Sequence, residues 1–368
     1  LDGGPDDIAE SVSTAGMAAS GLEDADKFVQ IGHLYETGNP MLRFLIKCYR
    51  YFTIKFFNEF LHSHSLYYWD LSKLYDLFRL RKNNYDVIIA NDIVTLPLAV
   101  NLSKSARVYF DAHQYAPLEY EDNARWLKYK SPFLLYLCKR YIPQTDYCTT
   151  VSNNLAAQYE QLTGREFDVV YNAPSYQSLP PSERSGTVIR CVHHGVASPI
   201  RKIESMITAF KELGESYELN LLLVKSDPKY YQEMITLAAG CENIIFHEPV
   251  PTGEIPRFIN RFDVSLIFIP PVNFNYKYCL PNKFFESVQA RLMLLCGPSP
   301  EMEILVNKYN LGAISTGFEA DDIKNSLAEI DKDIVEKYKK EADKSAEKLS
   351  AHLSMQLITK KIDALCAE

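Results

Sequence analysis

From Tyr85 onward, short apolar runs alternate with longer stretches in which apolar residues return every three to four positions. Runs of four to eight suit buried strands, and the longer period suits one face of a helix, so the pattern predicts an α/β fold with parallel sheets wrapped by helices. Strands are predicted at Tyr85–Ala90, Arg107–Phe110, Tyr147–Val151 and Val169–Tyr171. Polar tips follow them: Asp111 and His113 after the second, Ser152 after the third, Asn172 after the fourth. Ligands of doubly wound sheets gather beyond the carboxyl ends of the strands, so these tips are candidate site positions.

The pattern breaks at Asn172–Gly186 (NAPSYQSLPPSERSG), where Pro, Ser and Gly replace apolar periodicity, and a domain boundary is expected there. It then restarts. Strands are expected at Val188–His193, Leu219–Val224, Asn243–Phe246 and Val264–Ile269, with helices at Lys202–Leu213, Pro228–Ala239 and Glu254–Asn260 between them. Two α/β units in tandem result, over residues 1–175 and 186–350. Ala320–Leu365 is charged and helical in period, and its last part, residues 351–368, is expected to form a helix that packs back across both units.

A chain of 368 residues exceeds the size at which one core keeps growing, which agrees with two units. A net charge of -8 argues against a dedicated nucleic-acid binder, which needs a clustered basic surface. The eight cysteines are dispersed, without CxxC or zinc spacing, so reduced thiols and no metal ligands are expected. No apolar run reaches the roughly 20 residues of a membrane span, and a cytoplasmic location is the default expectation. The first 26 residues hold seven acidic side chains and no basic one, which reads as a loop or leader. A nucleotide-binding unit normally opens with a strand and a helix, which are expected upstream of Leu1.

Three constellations carry candidate chemistry. In His194–Ile203 (HGVASPIRKI) a strand ends at Gly195 and a helix is expected to start with Ser198 as N-cap and Pro199 in first position. Its free N–H groups, with Arg201 and Lys202, suit an anion; an ordinary capped helix with surface cations is the plain alternative. In Tyr278–Glu286 (YCLPNKFFE), Lys283 can reach a phosphate and Glu286 can accept from paired hydroxyls, against the alternative of a solvated helix start. Phe284 and Phe285 read as core. In Phe110–Gln114 (FDAHQ), Asp111 and His113 share a strand-tip turn, where a histidine works more often than elsewhere.

These segments, with TVSNNLAAQY (Thr150–Tyr159), VVYNAP (Val169–Pro174), FDVSLI (Phe262–Ile267) and PSPEMEILV (Pro298–Val306), resemble glycosyltransferase family 4 in order and separation, over roughly Tyr85 to Leu327. The nearest likeness is to bacterial enzymes that build capsules, O-antigens and other surface glycans. The resemblance implies a GT-B fold, two Rossmann-like domains facing a cleft, and retaining transfer from a nucleotide-sugar to a glycan or lipid-linked glycan. It implies His113, Arg201 and Lys283 as catalytic residues; Gly195, Arg201, Lys202, Pro281, Asn282, Lys283 and Glu286 around the donor; and Asp111 and Asn172 nearer the acceptor. No cofactor and no metal are expected. Three positions depart from the family pattern: Tyr278 stands where a first glutamate is expected, Val196 where many members carry arginine, and Arg291 where most have glycine. A non-catalytic nucleotide- or glycan-binding module and a sugar-nucleotide epimerase are the rival readings.

Met41–Lys82 holds eight basic, three acidic and twelve aromatic residues within an acidic chain. Either it forms a face for peripheral contact with the inner membrane surface, or its aromatic residues line the first domain's core in two amphipathic helices.

Overall fold

The computed structural model describes residues 40–103, 106–183 and 186–367. The acidic leader and the expected upstream strand fall outside the described residues. The chain opens with helix α1 (Pro40–Thr53), continued by a π-helical stretch Ile54–Phe60, then α2 (His64–Tyr68) and α3 (Leu71–Leu80). Four parallel strands follow in sequential order: β1 (Val87–Asn91), β2 (Arg107–Ala112), β3 (Tyr147–Thr150) and β4 (Asp168–Val169). Helices α4 (Leu96–Leu102), α5 (Ser131–Tyr141) and α6 (Asn153–Thr163) connect them. The first core joins Phe110, Leu137, Cys138 and Tyr159.

The second sheet is wholly parallel in the order β10-β9-β8-β5-β6-β7. Its strands are β5 (Ile189–Val196), β6 (Tyr217–Val224), β7 (Ile244–His247), β8 (Val264–Ile267), β9 (Met293–Cys296) and β10 (Gly312–Ile314). Intervening helices are α7 (Ile203–Leu213), α8 (Pro228–Leu237), α9 (Ile255–Ile259), α10 (Phe274–Lys277), α11 (Asn282–Gln289) and α12 (Pro300–Tyr309). After β10 come α13 (Ala320–Ala328), α14 (Lys332–Ser345) and α15 (Ala351–Ala367). Helices cover both faces, so β8 and β9 are buried at every position and are apolar except for Ser265, whose hydroxyl bonds that of Ser287 at 2.7 Å. From β5 the chain first builds outward through β6 and β7, then returns to the other side of β5 with β8. That reversal opens a crevice beyond the carboxyl ends of β5 and β8.

No regular element lies between Val169 and Ile189 among the described residues, within which the interdomain segment was expected. Besides backbone bonds from Leu179 N to Gln177 O and from Ala351 N to Pro174 O, both 2.9 Å, the segment is held by side chains. Arg291, fully buried at φ +60°, donates to Gln177 O at 2.8 Å, Gln289 O at 2.5 Å and Asp343 Oδ1 at 2.8 Å. An arginine in the left-handed region is strained, which explains the glycine expected here; three charge-assisted bonds offset that strain. Helix α15 returns to the first sheet, burying Ile358 against Tyr109 and Tyr147 and pairing Lys361 with Asp168 at 3.6 Å.

The expectations missed β9 and β10 and cut β5 short at His193. Only Ala290 and Arg291 separate the end of α11 from the apolar run Leu292–Cys296, with no Gly, Pro, Asn or Asp to mark a turn. Near Arg201 the helix start differs as well. Pro199–Arg201 forms a single 3-10 turn, Lys202 takes φ +47°, α7 begins at Ile203, and the Ser198 side chain caps nothing.

Candidate functional site

The carboxyl end of β5 carries His193, His194 and Gly195 into the crevice. Gly195 has φ +133°, and a Cβ placed on it would sit 3.0 Å from Lys283 Nζ. The backbone angle favours glycine, and the lysine amine lies close over the turn. Lys283 comes from the first turn of α11, for which Pro281 is the N-cap and Asn282 the first residue; no side chain caps this end. Arg201 projects from the 3-10 turn over the ring of Tyr276, 5.2 Å from its centroid.

Two cations therefore meet with little to neutralise them. Arg201 Nη1 is buried without a hydrogen-bond partner. Burial, then repulsion by Arg201, pulls the Lys283 amine down to about 7, with Glu286 opposing. Burial pushes the neighbouring Cys279 thiol up to about 11 even though both cations pull the other way, so it stays protonated. An anion arriving beside the two cations would favour the charged form of the lysine.

Glu286, one turn beyond Lys283 on α11, accepts from His194 Nε2 at 2.8 Å, and both side chains are buried. That bond places the proton on Nε2 and leaves His194 Nδ1 buried without a partner. Burial lowers the His194 pKa, opposed by the bond to Glu286. His193 hydrogen-bonds the Leu266 carbonyl of β8 through Nδ1 at 2.9 Å, and burial with the charge of Lys283 drives its pKa well below the usual histidine range. The structure thus brings Gly195, Arg201, Lys283 and Glu286 together around two histidines that the residue pattern did not single out. The signal was present in the sequence, a His-His pair before the turn glycine, but a buried histidine at a strand end is also ordinary core.

Lys202 does not join them. Its left-handed backbone turns the side chain outward to an ion pair with Glu319 at the start of α13. Nor does Tyr278 stand in for the expected glutamate, because its ring packs on Phe274, 4.8 Å between centroids.

On the first unit's side, Asp111, the next-to-last residue of β2, accepts from Thr149 Oγ1 at 2.7 Å. His113 Nε2 lies 3.3 Å from Asp111 Oδ2, so the ring is oriented by that carboxylate. Asp92, just past β1 at φ +63°, accepts from the His113 backbone N–H. Its side chain is open to solvent yet surrounded by protein mass, and the lost hydration raises its pKa. Asp92 was missed because it follows its strand inside an unremarkable Asn-Asp pair. Asn172 lies one residue after Tyr171, whose ring stacks on Phe285 of the second unit at 5.3 Å.

Helix α10 spans the two sides. Asn275 accepts from Tyr115 N at 2.7 Å and donates to Tyr115 O at 3.1 Å; Asn273 donates to Glu119 O at 3.1 Å; and the Phe274 N–H donates to Glu121. Two residues after Phe274, Tyr276 underlies Arg201. Among the described residues, no group of three or more His, Cys, Asp and Glu stands in an arrangement that would hold a metal ion.

Several solved structures share this architecture. HepE from Anabaena, in complex with UDP and glucose, matches with a TM-score of 0.62 over 79% of this chain and 81% of its own, at 14% identity. Sucrose-phosphate synthase from Thermosynechococcus elongatus gives 0.62 over 77% of this chain and 74% of its own, at 12% identity. The pneumococcal O-GlcNAc transferase GtfA, in complex with UDP and GlcNAc, gives 0.58 at 13% identity, over 80% of this chain and 60% of its own. Likeness at such identities establishes the fold, two Rossmann-like units of the GT-B type. No family model matches the chain, and no curated protein matches it at a significant level.

Proposed function

We propose that this chain is a retaining glycosyltransferase of family 4 that takes a sugar from a nucleoside-diphosphate sugar and passes it to a hydroxyl of a glycan or lipid-linked glycan, in the synthesis of a bacterial surface polysaccharide. The observation that carries the reading is the pair of a buried Lys283 and a half-buried Arg201 whose Nη1 is buried without a hydrogen-bond partner, beside the glycine turn at the sheet's switch point. Such a pair matches a diphosphate in charge better than it matches a neutral ligand. UDP in the HepE and GtfA structures, which share the fold, supports the same reading.

In this reading Glu286, oriented by His194, accepts from the ribose hydroxyls. Arg201 and Lys283 hold the diphosphate. As the anomeric C–O bond breaks, its electron pair goes to the diphosphate oxygen, and the two cations stabilise the charge that develops there. The acceptor oxygen bonds to the same face of the anomeric carbon and passes its proton to the departing phosphate. His113, held by Asp111 and Asp92, faces the transferred sugar from the first unit. Metal-independent transfer is part of the proposal.

Calorimetric titration with UDP-, GDP- and CMP-sugars, followed by assay of donor hydrolysis and transfer, tests it. One nucleotide-sugar binding tightly and turning over supports the reading. Binding without any turnover would favour a non-catalytic module, for which Tyr278 in place of a carboxylate is the specific argument.

A further inference from the structure

Helix α3 leaves one apolar stripe in solvent. Its apolar residues Leu71, Leu74, Tyr75 and Phe78 follow the i, i+3, i+4, i+7 spacing of a core-facing stripe, yet all four are exposed. The side it turns inward carries the polar Ser72, Lys73 and fully buried Asp76 beside Leu80, which with Leu77 packs on Leu98 and Leu102. Burying polar groups and exposing an apolar stripe is the reverse of what a soluble helix surface favours. Nearby, Phe52, Phe56 and Phe60 stack at 5.2 Å and 6.0 Å into an aromatic ridge that also faces solvent. Thirteen of the 21 exposed large apolar side chains among the described residues fall between Met41 and Phe78. A concentration of this kind marks an interaction surface.

The charges on this face have one sign. Lys47, Arg81, Lys82 and Lys128 are exposed. The acidic residues of the segment are withdrawn or satisfied: Asp76 pairs with Arg79, Asp70 caps α3, and Glu59 pairs with Lys55 and Arg125. We propose that this face docks onto a lipid bilayer that carries anionic headgroups, with the aromatic ridge and the α3 stripe in the interfacial layer and the lysines at the headgroups. A second copy of the chain fits poorly, since a two-fold contact would set this basic face against itself. The net charge of -8 repels the rest of the molecule from such a bilayer and so fixes the docked orientation.

The face is joined to the rest of the first unit. Asn58 donates to Tyr129 O at 2.9 Å, and Glu59 pairs with Arg125 at 3.3 Å, tying the π-helical stretch to the segment that runs back to His113. The docking surface stands without the donor-site reading. Taken with it, the acceptor is a lipid-linked glycan presented from the bilayer beside the first unit.

Vesicle flotation of the full chain tests the proposal, using phosphatidylcholine alone and phosphatidylcholine with phosphatidylglycerol, at low and high salt. Flotation is expected with the anionic vesicles, weakened by salt. Lys47→Gln with Lys82→Gln should reduce partitioning about thirtyfold, and Phe60→Ser with Phe78→Ser should abolish it. These side chains are exposed, so circular dichroism and melting temperature should stay unchanged. No flotation of the folded chain, or flotation indifferent to both pairs of substitutions, overturns the proposal. So does a dimer in the absence of lipid that Phe60→Ser with Phe78→Ser dissociates, which would assign the face to a second copy. Nucleotide-sugar titration on the same samples separates failure of docking from failure of the donor site.

Discussion

His194 Nε2 and Glu286 Oε2 lie 2.8 Å apart, both buried, the one at the end of β5 and the other on α11. A carboxylate accepting from a neutral imidazole keeps its second oxygen for a ligand while its direction is fixed. His194→Ala should therefore raise KM for the donor by about tenfold or more, the loss of one hydrogen bond to a charged group, with kcat nearly unchanged. Equal losses in both constants would mean that His194 acts on the reacting centre instead.

Lys283 sits at about 7 in the unliganded protein. An arriving diphosphate favours its charged form, so binding should take up as much as one proton near pH 8, and affinity should fall by up to about tenfold per pH unit above 7. Calorimetry in buffers of different ionisation enthalpy measures the uptake directly. Lys283→Met should remove both the uptake and the pH dependence, and should stabilise the unliganded fold by about 1–4 kcal/mol, because a buried charge is no longer desolvated. A pH-independent affinity in the unmodified protein would rule out this lysine as a phosphate ligand.

Arg201→Ala and Glu286→Ala should separate in their kinetics. The guanidinium matters most as the leaving group gains charge, so kcat should fall about 10²–10³-fold. Ribose contacts are the same before and during the reaction, so Glu286→Ala should mainly raise KM. Unchanged activity in both variants would place the site elsewhere on the GT-B frame.

Two buried histidines make a prediction for folding. Burial depresses His193 and His194 below 6.5 in the folded state, so their stability contribution is complete above the unfolded value and is lost as pH falls below about 6.5 toward the folded values. The melting temperature should drop between pH 7 and pH 5, at a cost of up to about 1.4 kcal/mol per pH unit for each imidazole. His193→Gln should flatten that slope; an identical slope would show that other groups control acid unfolding.

Glu301, buried on α12, accepts from Asn154 N at 2.6 Å and Asn154 Nδ2 at 2.8 Å, at the start of α6 in the other unit. A carboxylate there complements the helix N-terminus and ties the units together. Glu301→Ala should cost about 1–3 kcal/mol and increase the radius of gyration in X-ray scattering. Scattering that does not change would locate the union of the units in α10 and α15 alone.

Much of this was already written in the chain. Most strand and helix identity came from apolar period, which is local, and the turn at Gly195 came from backbone chemistry that needs no partner. Whatever depended on distant partners was decided by the tertiary structure. His194 and Glu286 are 92 residues apart and meet only because the sheet reverses direction beside β5. Lys202 looked equivalent to Arg201, yet one left-handed residue sent it to Glu319. The stripe on α3 shows the limit most plainly. Periodicity reveals that Leu71, Leu74, Tyr75 and Phe78 share a face, but which way a face points depends on what the rest of the chain packs against it, and here the chain packs on the side of Ser72, Asp76 and Leu80.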